Sequence, residues 1–140
     1  MTGIIKINHV AVAVSDIDQA LSFWQEALGL ELVKSESVPS QQAMVAFLPV
    51  GESEIELVKP LSAGSGLSKF IEEKGPGIHH ICFEVDDIDS ALTSLKGKGI
   101  RLINETPVTL PGRKMGFIHP KSTGGVLIEL YQLLINDKEE

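Results

Sequence analysis

Apolar and smaller or polar residues alternate from Ile4 to Val14, a pattern that reads as a strand rich in β-branched side chains. Its period of two puts Val10, Val12 and Val14 on one face and His9, Ala11 and Ala13 on the other. The period then lengthens. Ile17, Ala20, Leu21, Trp24 and Leu28 recur at helical spacing, with Ser15 or Asp16 as the cap, Gln19 in capping-box relation to Asp16, and Gly29 as the stop. Further strands are predicted over 30–38, 43–49 and 54–58, separated by Pro39-Ser40 and Gly51-Glu52. The order is β-α-β-β-β.

After residue 60 this pattern stops. Ser62, Gly64, Ser65 and Gly66 open a linker over 61–76 that holds a short predicted helix at 67–74 and ends in Gly75-Pro76-Gly77. The same order then returns: a strand over 78–85, a helix over 88–98 with Ile88, Ala91, Leu92 and Leu95 as its stripe, and strands over 100–105, 114–119 and 125–132. The charged end, 136–140, is expected to fray. The two halves repeat in sequence as well as in pattern, with His80 lying 71 positions after His9. In that register Val14 falls on Val85, Asp16-Ile17-Asp18 on Asp87-Ile88-Asp89, and Ala20-Leu21 on Ala91-Leu92. Glu54-Ile55-Glu56-Leu57 is echoed by Leu127-Ile128-Glu129-Leu130. We read one domain over residues 1–140 built from a duplicated unit: module one over about 4–60 and module two over about 77–133. The fold class is α+β, two tandem βαβββ modules forming a curved, cup-like mixed sheet with helices on the outer face.

The duplication gives four polar side chains a common direction. Each helix must cover the apolar face of its own sheet, so Val10, Val12, Val14, Ile55 and Leu57 point to it in the first module. Ile81, Phe83, Val85, Val126, Ile128 and Leu130 do so in the second. His9, Glu56, His80 and Glu129 must then face away. Packed together, the modules would bring two imidazoles and two carboxylates to one concave surface. Such a set suits a divalent transition metal, Zn, Ni, Co, Mn or Fe, and in an octahedral ion leaves two positions open. The plainer alternative for each, a satisfied strand histidine and a solvated acid, does not account for the acid being kept on both fourth strands.

Composition narrows the partners. A net charge of −7 on 140 residues argues against nucleic acid or an anionic membrane, both of which need a basic face. The start shows no basic segment followed by an apolar run, and no stretch is apolar for the length of a bilayer. One cysteine, Cys82, cannot form an internal disulfide and fits a reducing cytoplasm; we read it as a small packing residue. His79 is expected on the helix side, His119 in a loop, and Glu84 at the rim of the His80 face.

Several stretches together resemble the vicinal oxygen chelate superfamily of glyoxalases, bleomycin resistance proteins and dioxygenases, which is built from paired βαβββ modules. They are Asn8-His9-Val10-Ala11-Val12-Ala13-Val14, Val45-Ala46-Phe47-Leu48-Pro49-Val50-Gly51 and Gly77-Ile78-His79-His80-Ile81-Cys82-Phe83-Glu84-Val85, with His119-Pro120-Lys121 and Gly124-Gly125-Val126-Leu127-Ile128-Glu129-Leu130. Within it the likeness is greatest to the methylmalonyl-CoA epimerases. The resemblance implies one divalent ion per site (Co, Mn, Ni or Zn) held by His9, His80 and Glu129, with Glu56 at the fourth position. It also implies a homodimer, and proton transfer alpha to the thioester of an acyl-CoA with Glu129 and Glu56 as the acid/base candidates. Arg113, Lys114 and Lys121 are the candidates for the CoA phosphates. Some epimerases carry a glutamate on the third strand; gap-free counting from His9 puts Val45 there, so that role does not transfer. A glyoxalase I-type lactoylglutathione lyase is the nearest alternative, since it uses the same ligands. A metal-free antibiotic-binding module and a ring-cleaving dioxygenase are more distant alternatives.

Overall fold

The computed structural model describes residues 3–134; the frayed end expected over 136–140 lies outside them. Two compact units are present, one comprising His9–His79 and the other the chain from His80 together with the residues up to Asn8. In the first unit the strand order is β2-β3-β4-β1, from β1 (Ile4–Ala13), β2 (Lys34–Val38), β3 (Ala43–Val50) and β4 (Ser53–Pro60). The strands β1 and β4 run parallel, whereas β3 is antiparallel to both β4 and β2. In the second unit the order is β5-β8-β7-β6, from β5 (Gly77–Val85), β6 (Val108–Leu110), β7 (Arg113–Ile118) and β8 (Ile128–Leu133). Here β5 and β8 are parallel and β7 is antiparallel to both its neighbours. Each unit therefore carries the same mixed sheet, and the fold is α+β.

The helices start where the sequence says they should. Asp16 caps α1 (Ile17–Leu21) by accepting from the Gln19 N–H at 2.9 Å, and Asp87 caps α3 (Ile88–Gly97) by accepting from the Ser90 N–H at 3.1 Å. The first helix does not stay α. From Ser22 to Ala27 it widens into a π-helix, which takes more residues per turn and so rotates later side chains out of the stripe. Leu28, expected inward, is 53% exposed for that reason. Val12, Val14, Leu21, Ala46, Leu48 and Leu57 form the core under this helix, joined by Val10, Ile17, Trp24 and Ile55. In the second unit Val85, Ile88, Ala91, Leu92, Ile118 and Leu130 do the same, joined by Phe83 and Ile128.

The opposite face of the first sheet has a core of its own. Ala11, Ala13, Ala43, Val45 and Val58 are covered there by Leu67, Phe70 and Ile71 of α2 (Gly66–Lys74). The linker helix is therefore a packing element of the first unit, capped by Ser65. The strand expected over 100–105 is reduced to a single bridge, Leu102 to Ile118, and the edge strand of this unit is β6 instead. The last strand begins at Ile128, so Val126 lies before it and is exposed. No helix among the described residues is long and apolar enough to cross a membrane.

Candidate metal site

Among the described residues four polar side chains are buried, and they are the four picked out by the repeat: His9 (1% exposed), Glu56 (7%), His80 (4%) and Glu129 (0%). Burying ionisable groups is costly unless each meets a partner. In the first unit His9 Nδ1 lies 3.2 Å from Glu56 Oε2, and in the second His80 Nε2 lies 3.0 Å from Glu129 Oε1.

The same register produces both pairs. On the parallel β1–β4 ladder the residue beside Glu56 is Ala11, so His9 stands two positions earlier on the same face. On β5–β8 the residue beside Glu129 is Cys82, and His80 again stands two positions earlier. Ala11 and Cys82 are both fully buried, and their small side chains leave room for the carboxylate to lean diagonally toward the imidazole. The buried thiol thus occupies the place that a methyl group fills in the first unit.

The antiparallel ladders add a residue that the sequence did not flag. Phe47 faces Glu56 across β3–β4, and Phe117 faces Glu129 across β7–β8. Each carboxylate is thereby set between a small residue on one neighbouring strand and a phenyl ring on the other. In the 71-residue register of the repeat Phe47 falls on Ile118, so only the ladders show that the two rings hold equivalent places opposite an acid. Phe117 meets the His80 ring edge to face, with centroids 5.5 Å apart and an interplanar angle of 87°.

The remaining candidates are dispersed. Lys114 Nζ is 3.0 Å from Asp89 Oδ2 on α3, on the helix side of its sheet. The Arg113 guanidinium lies 5.4 Å from the Tyr131 ring centroid, and Lys121 is exposed on the 3-10 turn Pro120–Ser122. Val45 is buried opposite Val58, so the third strand offers no carboxylate at that position. Glu84 takes an amide hydrogen bond from Asn8 (3.3 Å) and lies 4.0 Å from Lys6 Nζ. His79 rests against the Phe70 ring with centroids 4.9 Å apart. The His119 pKa is held below the ordinary histidine value by partial desolvation and then by the positive charges of Arg101 and Lys121. Its Nδ1 accepts the Lys121 N–H at 3.0 Å.

Imidazole nitrogen and carboxylate oxygen, paired in buried positions, are donor types that a divalent transition ion accepts, so the residues fit the group the fold implies. A family model described as the glyoxalase/bleomycin resistance protein/dioxygenase superfamily matches residues 8–117. The chain is 40% identical over 129 residues to mitochondrial methylmalonyl-CoA epimerase of Mus musculus, an alignment that covers 91% of this chain and 72% of that protein. The crystal structure of methylmalonyl-CoA epimerase from Mycobacterium tuberculosis superposes with a TM-score of 0.88 at 34% identity, over 100% of this chain and 96% of that one. A variant of the Streptomyces coelicolor epimerase, solved in complex with 2-nitronate-propionyl-CoA, gives 0.86 at 28% identity over 94% and 96%. The chain belongs to the glyoxalase/bleomycin resistance protein/dioxygenase superfamily, and within it is akin to the methylmalonyl-CoA epimerases.

Proposed function

We propose that this protein epimerises a 2-methyl-branched malonyl thioester of coenzyme A, methylmalonyl-CoA, with His9, Glu56, His80 and Glu129 holding one divalent ion. The observation that carries the reading is the burial of just these four polar side chains among the described residues, in two pairs of identical register. When bound, the ion supplies Lewis-acid stabilisation to the enolate oxygen that develops beside the thioester. The chain's own part is proton transfer. One carboxylate, Glu129 or Glu56, takes the proton from the carbon between thioester and free carboxylate, and the electron pair of the broken C–H bond passes into the enolate. A proton delivered to the opposite face, with the other carboxylate as its source, re-forms the C–H bond with inverted configuration. Burial keeps bulk water from competing for the transferred proton.

Arg113 and Lys121 are the basic residues proposed to meet the CoA phosphates, whereas Lys114 is held by Asp89 on the helix side of its sheet. The active form is proposed to be a homodimer in the cytoplasm, where the lone Cys82 stays reduced. The test is deuterium exchange at the α-carbon of methylmalonyl-CoA by the metal-loaded protein, run beside the hemithioacetal of methylglyoxal and glutathione. Exchange with inversion of the thioester supports the reading. Turnover of the hemithioacetal alone would replace it with a glyoxalase.

A further inference from the structure

The repeat that sets both pairs breaks at one place. In the first unit the outer neighbour of Phe47 is Lys34, within the regular β2–β3 ladder, and the Val33 N–H donates to the Phe47 carbonyl at 3.0 Å. The matching stretch of the second unit, Ile103-Asn104, belongs to no strand. The Ile103 N–H (2.8 Å) and the Asn104 N–H (3.3 Å) both donate to the Phe117 carbonyl, while the Phe117 N–H donates to the side-chain Oδ1 of Asn104 at 2.8 Å. Residues 105–107 then leave the sheet, and regular pairing resumes with Val108 opposite Met115. A side-chain amide has replaced the backbone carbonyl that a continuous strand would present.

Both backbone groups of Phe117 therefore point outward, to this clip. Its pairing with Glu129 on the other side is then of the non-hydrogen-bonded kind, in which facing side chains stand closest. Gly116 lies directly beneath the clip, where a Cβ would stand in ordinary van der Waals contact, 3.6 Å from the Asn104 Cβ. The held residue carries the ring that stands edge to face against His80.

We infer that Asn104 is a positioning residue for the His80–Glu129 pair: its amide oxygen fixes the Phe117 backbone, and the phenyl ring keeps the imidazole in the rotamer aimed at Glu129. The consequence for an ion at these ligands rests on the function proposed above, whereas the orientation of the His80 ring does not. Partners one layer behind a metal ligand typically govern affinity by about 10- to 100-fold.

The experiment uses the full chain with carbon-13-labelled histidine at one fixed pH. The His80 ring signals are recorded without metal, and Co(II) affinity is then read from the visible absorption of the bound ion. Phe117→Leu removes the ring and defines the unsupported position of the His80 signals. Asn104→Ala is expected to move those signals toward that position and to weaken Co(II) binding by about tenfold. Asn104→Asp keeps an acceptor oxygen for the Phe117 N–H and is expected to restore both. An Asn104→Ala protein that melts earlier but keeps the wild-type His80 signals overturns the inference, because Asn104 is then only a loop anchor. If Asn104→Ala does not fold, wild-type His80 signals in Phe117→Leu overturn it equally. His80 signals that move as expected in a protein whose wild type takes up no Co(II) leave the positioning intact and defeat the proposed metal function alone.

Discussion

Replacing Glu129 by glutamine tests the proposed chemistry most directly, because it keeps the shape of a fully buried side chain and removes its charge. Glu129 lies 3.0 Å from His80 Nε2, so the variant exchanges the proposed anionic ligand for a neutral, weaker one without opening a cavity. An ion at about 100 times its dissociation constant stabilises the wild type by about 2.7 kcal/mol. Removing the charge of a proposed direct ligand is expected to weaken binding by at least the roughly 100-fold seen for an outer partner. At the same ion concentration the stabilisation then falls to about 0.4 kcal/mol. For a chain of this size the ion-induced rise in Tm drops from about 10 °C to about 2 °C. The assay is thermal unfolding with and without Co(II), paired with deuterium exchange at the α-carbon at an ion concentration that saturates the variant. Exchange is expected to fall by about 100- to 10,000-fold, the usual contribution of a positioned acid or base. A variant that keeps the whole ion-induced rise and the wild-type exchange rate would falsify both roles. Full exchange with a lost Tm rise would leave Glu129 as a ligand and move the base to Glu56.

Other outcomes follow from the same geometry. Leu92→Ala, at a buried position between α3 and its sheet, is expected to cost about 2–5 kcal/mol in urea unfolding, with the denaturant slope unchanged. Asp16→Ala and Asp87→Ala each remove a cap and are expected to cost about 0.5–2 kcal/mol, additively because they cap separate helices. The His119 titration followed by NMR is expected to have its midpoint below the ordinary value of 6.5, and to rise in Arg101→Gln. Since its folded pKa is the lower one, the unfolded chain binds the proton first as pH falls. The His119 contribution is therefore complete above the ordinary histidine range and is lost through and below it.

Much of this architecture is legible in the chain because two periods and their repetition constrain each other. Val10, Val12 and Val14 could face only the helix, which left His9 to the other side, and the second copy repeated the inference with Phe83, Val85 and His80. Of the two caps offered for the first helix, Ser15 or Asp16, the structure uses Asp16, and Asp87 holds the repeated place on the second. What escaped depends on winding or on distant register. The apolar spacing that predicts a plain helix through Leu28 says nothing of a π stretch, because the phase shift appears only after Leu21. Residues 100–105 have strand composition, yet Asn104 spends its side chain on Phe117 and the following residues leave the sheet. The phenylalanines beside the two glutamates look like ordinary core residues until the ladder sets them opposite an acid.

The diagonal offset between each histidine and its glutamate makes the chain's tolerance to insertions and deletions uneven. Lengthening the hairpin tip at Gly51-Glu52 leaves β4 aligned with β1, so Glu56 stays beside Ala11. With the strand start held, dropping one residue between Ser53 and Glu56 turns the acid toward the valine layer and presents Leu57 to His9 instead. On β8 the same parity sets Glu129 beside Cys82. Homologues can therefore vary freely in tip length, whereas the spacing from strand start to acid behaves as a reading frame for the chemistry.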